Sequence, residues 1–190
     1  MVRLFIAVNL SEQQRHELVQ LQNRFKRNLD GVKWVKPEGM HLTLKFLGET
    51  DSQMVSKISG ILDLSGEIFS SFQIDCSGCG IFPNPARARV IWSGINKGSK
   101  DLSDLAEFFN QELSGLGFQP EKRAFMPHLT LGRFRNPVTE KIVNSVLKEE
   151  ADFQSKSSLV DQVVLYESVL TRHGAIYKPV YRTGLNKSKR

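Results

Sequence analysis

The sequence predicts an α+β fold with antiparallel sheets, a class in which helices and hairpin-connected strands share one core. Three observations support this prediction. Strand and helix patterns interleave along the chain and end in two strand patterns spaced like a hairpin. One four-residue strand pattern occurs twice. No stretch is polar and rich enough in glycine and serine to be an interdomain linker, so two lobes, if present, must share a common core.

The first half of the chain alternates strand and helix patterns. Residues 3–8 are apolar and β-branched enough for a buried strand, and Ser11 is then a suitable N-cap for a helix. The apolar stripe of that helix consists of Leu18, Leu21, Phe25 and Leu29. Residues 32–35 predict a short strand, and a turn leads to an alternating strand at residues 40–47, which Gly48 ends. A second helix is predicted at residues 52–64.

The second half continues the alternation. Its strand patterns occupy residues 72–76, 89–92, 126–134, 162–170 and 175–181. Pro83 and Pro85 mark the loop between the first two of these strands. Its helix patterns occupy residues 102–113 and 139–147.

Size and composition are those of a soluble globular protein, with 190 residues of which 40% are hydrophobic. No apolar run approaches the roughly 20 residues that span a bilayer, and the first residues do not fit a signal peptide. We therefore expect a cytoplasmic location and no membrane partner. Half of the net charge of +6 comes from Lys187, Lys189 and Arg190, which predicts a basic, disordered tail at residues 185–190. The remaining positive charge favours a polyanionic ligand such as RNA.

The two cysteines, Cys76 and Cys79, form a C-x-x-C pattern without a second pair, so the four-ligand zinc pattern is incomplete. A redox pair would be expected at a helix start after a strand. Here Gly78 and Gly80 predict a turn instead. The favoured interpretation is two ordinary, partly buried thiols.

The pattern His-Leu-Thr-Leu at residues 41–44 recurs at residues 128–131. The chain has four histidines, and the chance that any two share their next three residues is roughly one in several hundred on composition alone. Alternate residues of a strand point to one face, so His41 and Thr43 face together while the leucines face the core. The same holds for His128 and Thr130. If the two strands lie side by side about a pseudo-two-fold axis, these four polar groups converge on one cleft.

Two histidines suit phosphodiester cleavage because a neutral imidazole accepts a proton while a charged one donates one near neutral pH. One ring would deprotonate the attacking water and the other would protonate the leaving ribose oxygen, and the residues alone do not assign the two roles. The hydroxyls of Thr43 and Thr130 would bind the non-bridging phosphoryl oxygens. The alternative is a plain amphipathic strand, which histidine in both copies disfavours. For His16 and His173, which lack such a partner, we expect solvated or locally satisfied rings.

The motifs and their flanks resemble the 2H phosphoesterase superfamily, and specifically the RNA 2',3'-cyclic phosphodiesterases formerly called 2'-5' RNA ligases. The similarity spans nearly the whole chain. It rests on five segments: residues 3–7 (Arg-Leu-Phe-Ile-Ala), 41–49 (His-Leu-Thr-Leu-Lys-Phe-Leu-Gly-Glu), 127–133 (Pro-His-Leu-Thr-Leu-Gly-Arg), 166–168 (Tyr-Glu-Ser) and 174–177 (Gly-Ala-Ile-Tyr). The resemblance implies two pseudo-symmetric lobes that each contribute one motif to a central cleft, so we expect residues 1–184 to form a single bilobal catalytic domain.

The resemblance also implies metal-independent hydrolysis of a terminal RNA 2',3'-cyclic phosphate to a 2'-phosphate. It assigns His41 as the proton donor and His128 as the proton acceptor, with Thr43 and Thr130 binding the phosphate. We expect no cofactor, no metal and a monomeric chain whose partners are RNA ends or nucleotides with a 2',3'-cyclic phosphate.

By the same resemblance, Phe46 and Arg133 hold the terminal base through stacking and cation-π contact, for which their side chains are suited. In a regular strand, however, both have the opposite parity from the motif histidines. Phe46 would need a bulge or a position at the strand end, and Arg133 a bend that Gly132 permits, to face the cleft.

Three rival functions remain open from the sequence. The same residues could run the reverse reaction, 2'-5' ligation of RNA, because both directions share one transition state. A non-catalytic RNA- or nucleotide-binding module is a second alternative, which the intact histidines and threonines of both motifs disfavour. A metal-dependent nuclease is a third, but Glu49 and Asp51 lack partners at ligand spacing.

Overall fold

The structure, a computed structural model, describes residues 1–172 and 174–187. Within these residues the chain forms ten strands and four α-helices, which confirms the predicted α+β class. The strands are β1 (Val2–Asn9), β2 (Val32–Trp34), β3 (His41–Thr50), β4 (Phe72–Ile74), β5 (Cys76–Phe82), β6 (Val90–Ile95), β7 (His128–Phe134), β8 (Ser158–Val160), β9 (Gln162–Thr171) and β10 (Gly174–Gly184). The helices are α1 (Glu12–Phe25), α2 (Val55–Ile68), α3 (Ser99–Ser114) and α4 (Glu140–Glu149).

Two four-stranded antiparallel sheets organise the molecule. The first has the strand order β10-β9-β1-β3, and the second has the order β2-β7-β6-β5. Strands β4 and β8 form a separate two-stranded sheet. Each large sheet carries one His-Leu-Thr-Leu motif, on β3 in the first sheet and on β7 in the second, and these two strands contact each other. The topology therefore brings the two motifs to adjoining strands.

The helices cover the sheets with their apolar faces. Ser11 caps α1 as predicted, since its hydroxyl accepts a hydrogen bond from the backbone N–H of Gln14 at 3.2 Å. At the other end of α1, Phe25 stacks on Trp34 of the second sheet. Helix α2 packs on β9 and β10, and α3 packs on β3. Within the described ranges, no helix combines the length and the hydropathy needed to cross a membrane.

Two local expectations from the sequence are wrong. Gly48 does not end its strand, because β3 continues to Thr50 and Gly48, with a φ of 70°, lies at a register shift in the pairing with β1. Cys76 and Cys79 do not flank a turn. They lie within β5, where Gly78 has a φ of 63° and is the extra residue of a bulge. In both places glycine bends a strand that stays paired, which sequence patterns alone do not distinguish from a strand end.

The ordered fold extends past the expected domain end at residue 184. Leu185 is buried, and its backbone N–H donates to the carbonyl of Asp161 at 2.8 Å. Asn186 forms a bridge with Ser70. The expected start of the tail at residue 185 is therefore too early. Residues 188–190, where disorder is predicted, lie outside the described residues.

Candidate active site

The two motifs adopt the alternation that the sequence predicts. Leu42 and Leu44 are buried on the core side of β3, whereas His41 and Thr43 are half-buried on the other face. On β7 the leucines are again buried and the histidine and threonine half-buried. Among the described residues, neither motif threonine hydroxyl makes a hydrogen bond, so both are free to bind a ligand.

A bulge in β3 brings Phe46 to the motif face. The pairing with β1 shifts register so that Leu44 is an extra residue, and both Leu44 and Lys45 are buried in succession. Phe46 then pairs with Phe5 just as Thr43 pairs with Ala7, two residues further along β1. Phe46 therefore shares the face of the motif, where its side chain is 64% exposed. This is the bulge that the resemblance requires.

A matching bulge in β7 redirects Arg133. Leu131 is the extra residue in the pairing with β6, so Arg133 pairs with Val90 and Thr130 with Trp92. Val90 and Trp92 are two apart on one strand and face the same way, which places Arg133 on the motif face. The carbonyl of the bulged Leu131 accepts hydrogen bonds from the Val35 N–H and, at 2.9 Å, from Gln22 Nε2.

The His128 ring is positioned by a hydrogen bond to a backbone carbonyl and by an edge-to-face contact with an aromatic ring. Its Nδ1 lies 2.7 Å from the carbonyl oxygen of Met126, which only accepts, so Nδ1 carries the proton of this hydrogen bond. In the neutral ring Nε2 is then unprotonated and able to accept a proton. The ring meets Phe82 edge to face at 4.9 Å and 87°, with Trp92 at 6.2 Å.

His41 has an equivalent setting in the other sheet. Its ring donates a hydrogen bond to the backbone of Gly39, again two residues upstream, and meets Tyr177 edge to face at 4.9 Å and 86°. Phe5 lies at 4.8 Å. Burial among these rings lowers the pKa of His41 from 6.5 to about 4, although the bond to Gly39 opposes the change. Without a ligand, His41 is therefore uncharged at neutral pH.

Arg15, on α1, is a residue that the sequence did not single out. Its positive charge contributes, after burial, to lowering the pKa of His41, so the guanidinium lies near that ring. Arg15 Nε is buried and has no hydrogen-bond partner among the described residues. The helix pattern of the sequence does not mark Arg15 as a site residue. Arg15 comes near His41 because β1 pairs with β3, which sets Asn9 opposite His41 just before α1 begins.

Lys45 is a second unexpected residue, a lysine that is 3% exposed on β3. Its Nζ donates to Asn110 Oδ1 and to the carbonyl of Gln119, both at 2.8 Å. Asn110 Oδ1 also accepts from the Glu121 N–H at 2.7 Å. Burial lowers the pKa of Lys45. These bonds tie the first motif strand to the segment that leads into the second.

The remaining candidates lie outside this site. His16 is exposed and bonds Gln20, and His173 falls outside the described residues. Cys76 and Cys79 are free, as expected, and burial raises the pKa of each thiol to about 12. A cavity of about 530 Å³ beside residues 69–73 has no motif residue in its lining. Among the described residues, no group of three or more His, Cys, Asp or Glu is placed to hold a metal ion.

A family model and several curated relatives match this chain. The family model described as LigT like Phosphoesterase matches residues 8–92 and again residues 94–177, so each match contains one motif. A relative from Methanothermobacter thermautotrophicus, an RNA 2',3'-cyclic phosphodiesterase, is 35% identical over 93% of this chain and 95% of its own. A second RNA 2',3'-cyclic phosphodiesterase, from Thermotoga maritima, is 35% identical over 95% of this chain and 94% of its own.

Solved structures share the fold over its full length. TT0787 of Thermus thermophilus superposes with a TM-score of 0.83 at 26% identity, over 98% of this chain and 100% of its own. E. coli LigT complexed with 3'-AMP superposes with a TM-score of 0.77 at 25% identity, over 98% of this chain and 99% of its own. With the two motif faces and the repeated family match, these likenesses show that the chain belongs to the LigT-like family of 2H phosphoesterases.

Proposed function

We propose that this chain hydrolyses RNA 2',3'-cyclic phosphate ends to 2'-phosphomonoesters with a pair of histidines and without a metal ion. The observation that carries the proposal is the equivalence of the two imidazoles. Each donates a hydrogen bond to the backbone two residues upstream, meets an aromatic edge at 4.9 Å and shares its face with a free threonine hydroxyl. The relatives named RNA 2',3'-cyclic phosphodiesterase support this choice of substrate.

His128 is the proton acceptor in this proposal. Because Nδ1 donates to Met126, Nε2 of the neutral ring presents a lone pair to the ligand side. Nε2 takes a proton from water as the water oxygen attacks phosphorus. The bond between phosphorus and the ribose O3' breaks in the same displacement, and O3' leaves with the electron pair.

His41 is the proton donor, and it must be charged when O3' leaves. Its pKa of about 4 leaves it neutral in the free protein. An anionic phosphate beside the ring favours the imidazolium and raises that pKa, so substrate binding supplies the charged form. The His41 pKa, followed by NMR, should therefore rise when a nucleoside 2'-phosphate binds. A pKa that stays near 4 in the complex would remove His41 from the donor role.

The other face residues bind the substrate. Thr43 and Thr130 donate to the non-bridging oxygens, whose charge grows in the transition state. Phe46 and Arg133 sit at equivalent positions after the two bulges and hold the terminal base between a ring and a guanidinium. Since one chain contains both halves of the site, a monomer is sufficient.

The test is hydrolysis of an RNA oligonucleotide that ends in a 2',3'-cyclic phosphate, in the presence of a chelator. The wild type should produce a 2'-phosphate, and His41→Ala and His128→Ala should each lower kcat by about 10²- to 10⁴-fold. His16→Ala, which removes a histidine from the exposed side of α1, is the matched control. Unchanged RNA ends, or full activity in both motif variants, would contradict the proposal.

The same groups can also catalyse ligation. With a ribose 5'-hydroxyl in place of water, attack on the cyclic phosphate joins two RNA ends by a 2'-5' bond. Incubation with tRNA half-molecules, followed by product analysis, would detect this ligation. A binding module without turnover would instead keep RNA affinity and show no activity for the motif variants to lose.

A further inference from the structure

Lys33 and Arg133 form a pair of like charges on neighbouring strands. They are direct partners in the antiparallel pairing of β2 with β7, and both are exposed. Among residues 1–172 and 174–187, neither makes an ion pair or a side-chain hydrogen bond. Like charges directly opposite each other destabilise a sheet. A ligand that carries negative charge would remove this cost.

The pair lies on the motif face of the second sheet. Arg133 shares that face with Thr130, and direct strand partners point the same way, so Lys33 shares it too. Because Leu131 is bulged out of the pairing, Arg133 is two strand steps from Thr130, roughly 7 Å along β7. Lys33 is one strand spacing further, about 4.8 Å to the side.

The Lys33 side chain also reaches from the second sheet to the first sheet. Its Nζ lies 3.6 Å from the position that a Cβ on Gly174 would occupy, at the end of the β9–β10 hairpin of the first sheet. Tyr177, in the same strand as Gly174, contacts His41. The ammonium group is therefore located where the β9–β10 hairpin of the first sheet meets the motif face of the second sheet.

We propose that Lys33, next to Arg133, binds the phosphodiester that precedes the terminal nucleotide of an RNA chain. This inference rests on the proposed function and narrows its substrate class to oligonucleotide ends over mononucleotide 2',3'-cyclic phosphates. When the terminal base lies between Phe46 and Arg133, the preceding part of the RNA passes Arg133 and lies over β2. An ammonium on a flexible stem suits a phosphate whose position varies with the sequence of the RNA.

The experiment compares two substrates of the same chemistry, a nucleoside 2',3'-cyclic phosphate and a dinucleotide that ends in one. For the wild type, kcat/KM should be higher for the dinucleotide. In Lys33→Gln the ratio of the two kcat/KM values should fall by about fivefold, since one exposed charge pair is lost. Lys57→Gln removes the same charge from the exposed side of α2 and should keep the wild-type ratio. Lys33→Arg should retain most of the preference because the charge remains.

The salt dependence provides a second measurement. The slope of log(kcat/KM) against log salt for the dinucleotide should become less negative by about 0.7 in Lys33→Gln, as for one lost phosphate contact on a single strand. An unchanged ratio and slope in Lys33→Gln, or a wild type without preference, would overturn the subsite while leaving the proposed function intact. Failure of the wild type to hydrolyse either substrate would instead count against the proposed function.

Discussion

Replacing His41 with asparagine should change how the stability of the protein depends on pH. In the folded state His41 takes up a proton only near pH 4, because burial lowers its pKa from 6.5 to about 4. In the unfolded chain the ring is protonated below about pH 6.5. Between these values the unfolded state binds more protons, so the free energy of unfolding falls as the pH falls.

The size of this effect follows from the two pKa values. Lowering the pKa from 6.5 to about 4 corresponds to about 3 kcal/mol, at 1.36 kcal/mol for each pH unit. Above about pH 7 the ring is neutral in both states and contributes nothing to the pH dependence. At pH 4.5 most of the difference is present, so wild-type stability should have dropped by roughly 2 to 3 kcal/mol through His41 alone.

Urea unfolding of wild type and His41→Asn at pH 7.5 and pH 4.5 measures the effect. At pH 7.5 the variant should be less stable, because the contacts of the ring with Phe5 and Tyr177 are lost. At pH 4.5 that deficit should shrink by roughly 2 to 3 kcal/mol or reverse. The control is His16→Asn, in which the acid sensitivity of the wild type should survive. A deficit of the same size at both pH values would refute the burial of an uncharged His41.

Three further variants, the last with its own control variant, test individual parts of the structure. Lys45→Met should lower the free energy of unfolding by about 1 to 3 kcal/mol, since the Gln119 carbonyl loses its charged donor, and wild-type stability in urea would contradict those bonds. Gly80→Ala would place a Cβ 2.1 Å from Trp92 Cζ2, so the ring must move from beside His128. A kcat within twofold of wild type would show that this ring does not support His128. Leu129→Ala, at a fully buried position, should cost about 2 to 5 kcal/mol in urea unfolding. Leu159→Ala, at a position 52% exposed, should cost under about 0.5 kcal/mol, and equal losses would contradict the assigned core.

The motif faces could be predicted from sequence because strand alternation is local. Once His41 was assigned to a strand, Thr43 had to share its face and Leu42 the opposite one. The bulges were not readable in this way. Leu44 and Lys45 are both buried although one is charged, and only the partner strand reveals that Leu44 is the extra residue. From the sequence it could be inferred that Phe46 reaches the motif face only through a bulge or a position at the strand end, but the presence of the bulge could not be predicted.

Properties that depend on distant contacts were out of reach. The pKa of His41 reflects rings from β1 and β10 that the chain brings together only in the folded sheet. The approach of Arg15 and the burial of Lys45 have the same origin. The three-residue strands β2 and β4 fall within predicted strand patterns, but β8 was missed. Three residues are too few for alternation to identify a strand reliably.

The central claim is that His41 and His128 act on one phosphate as a single acid-base unit. Single-turnover hydrolysis of a 2',3'-cyclic phosphate end by His41→Ala, His128→Ala and the double variant tests this most directly. Residues that act as a unit give strongly non-additive losses, so each single variant should lose nearly as much rate as the double variant. Losses that multiply, with the double variant slower by the product of the two single effects, would show that the histidines work independently and contradict the claim.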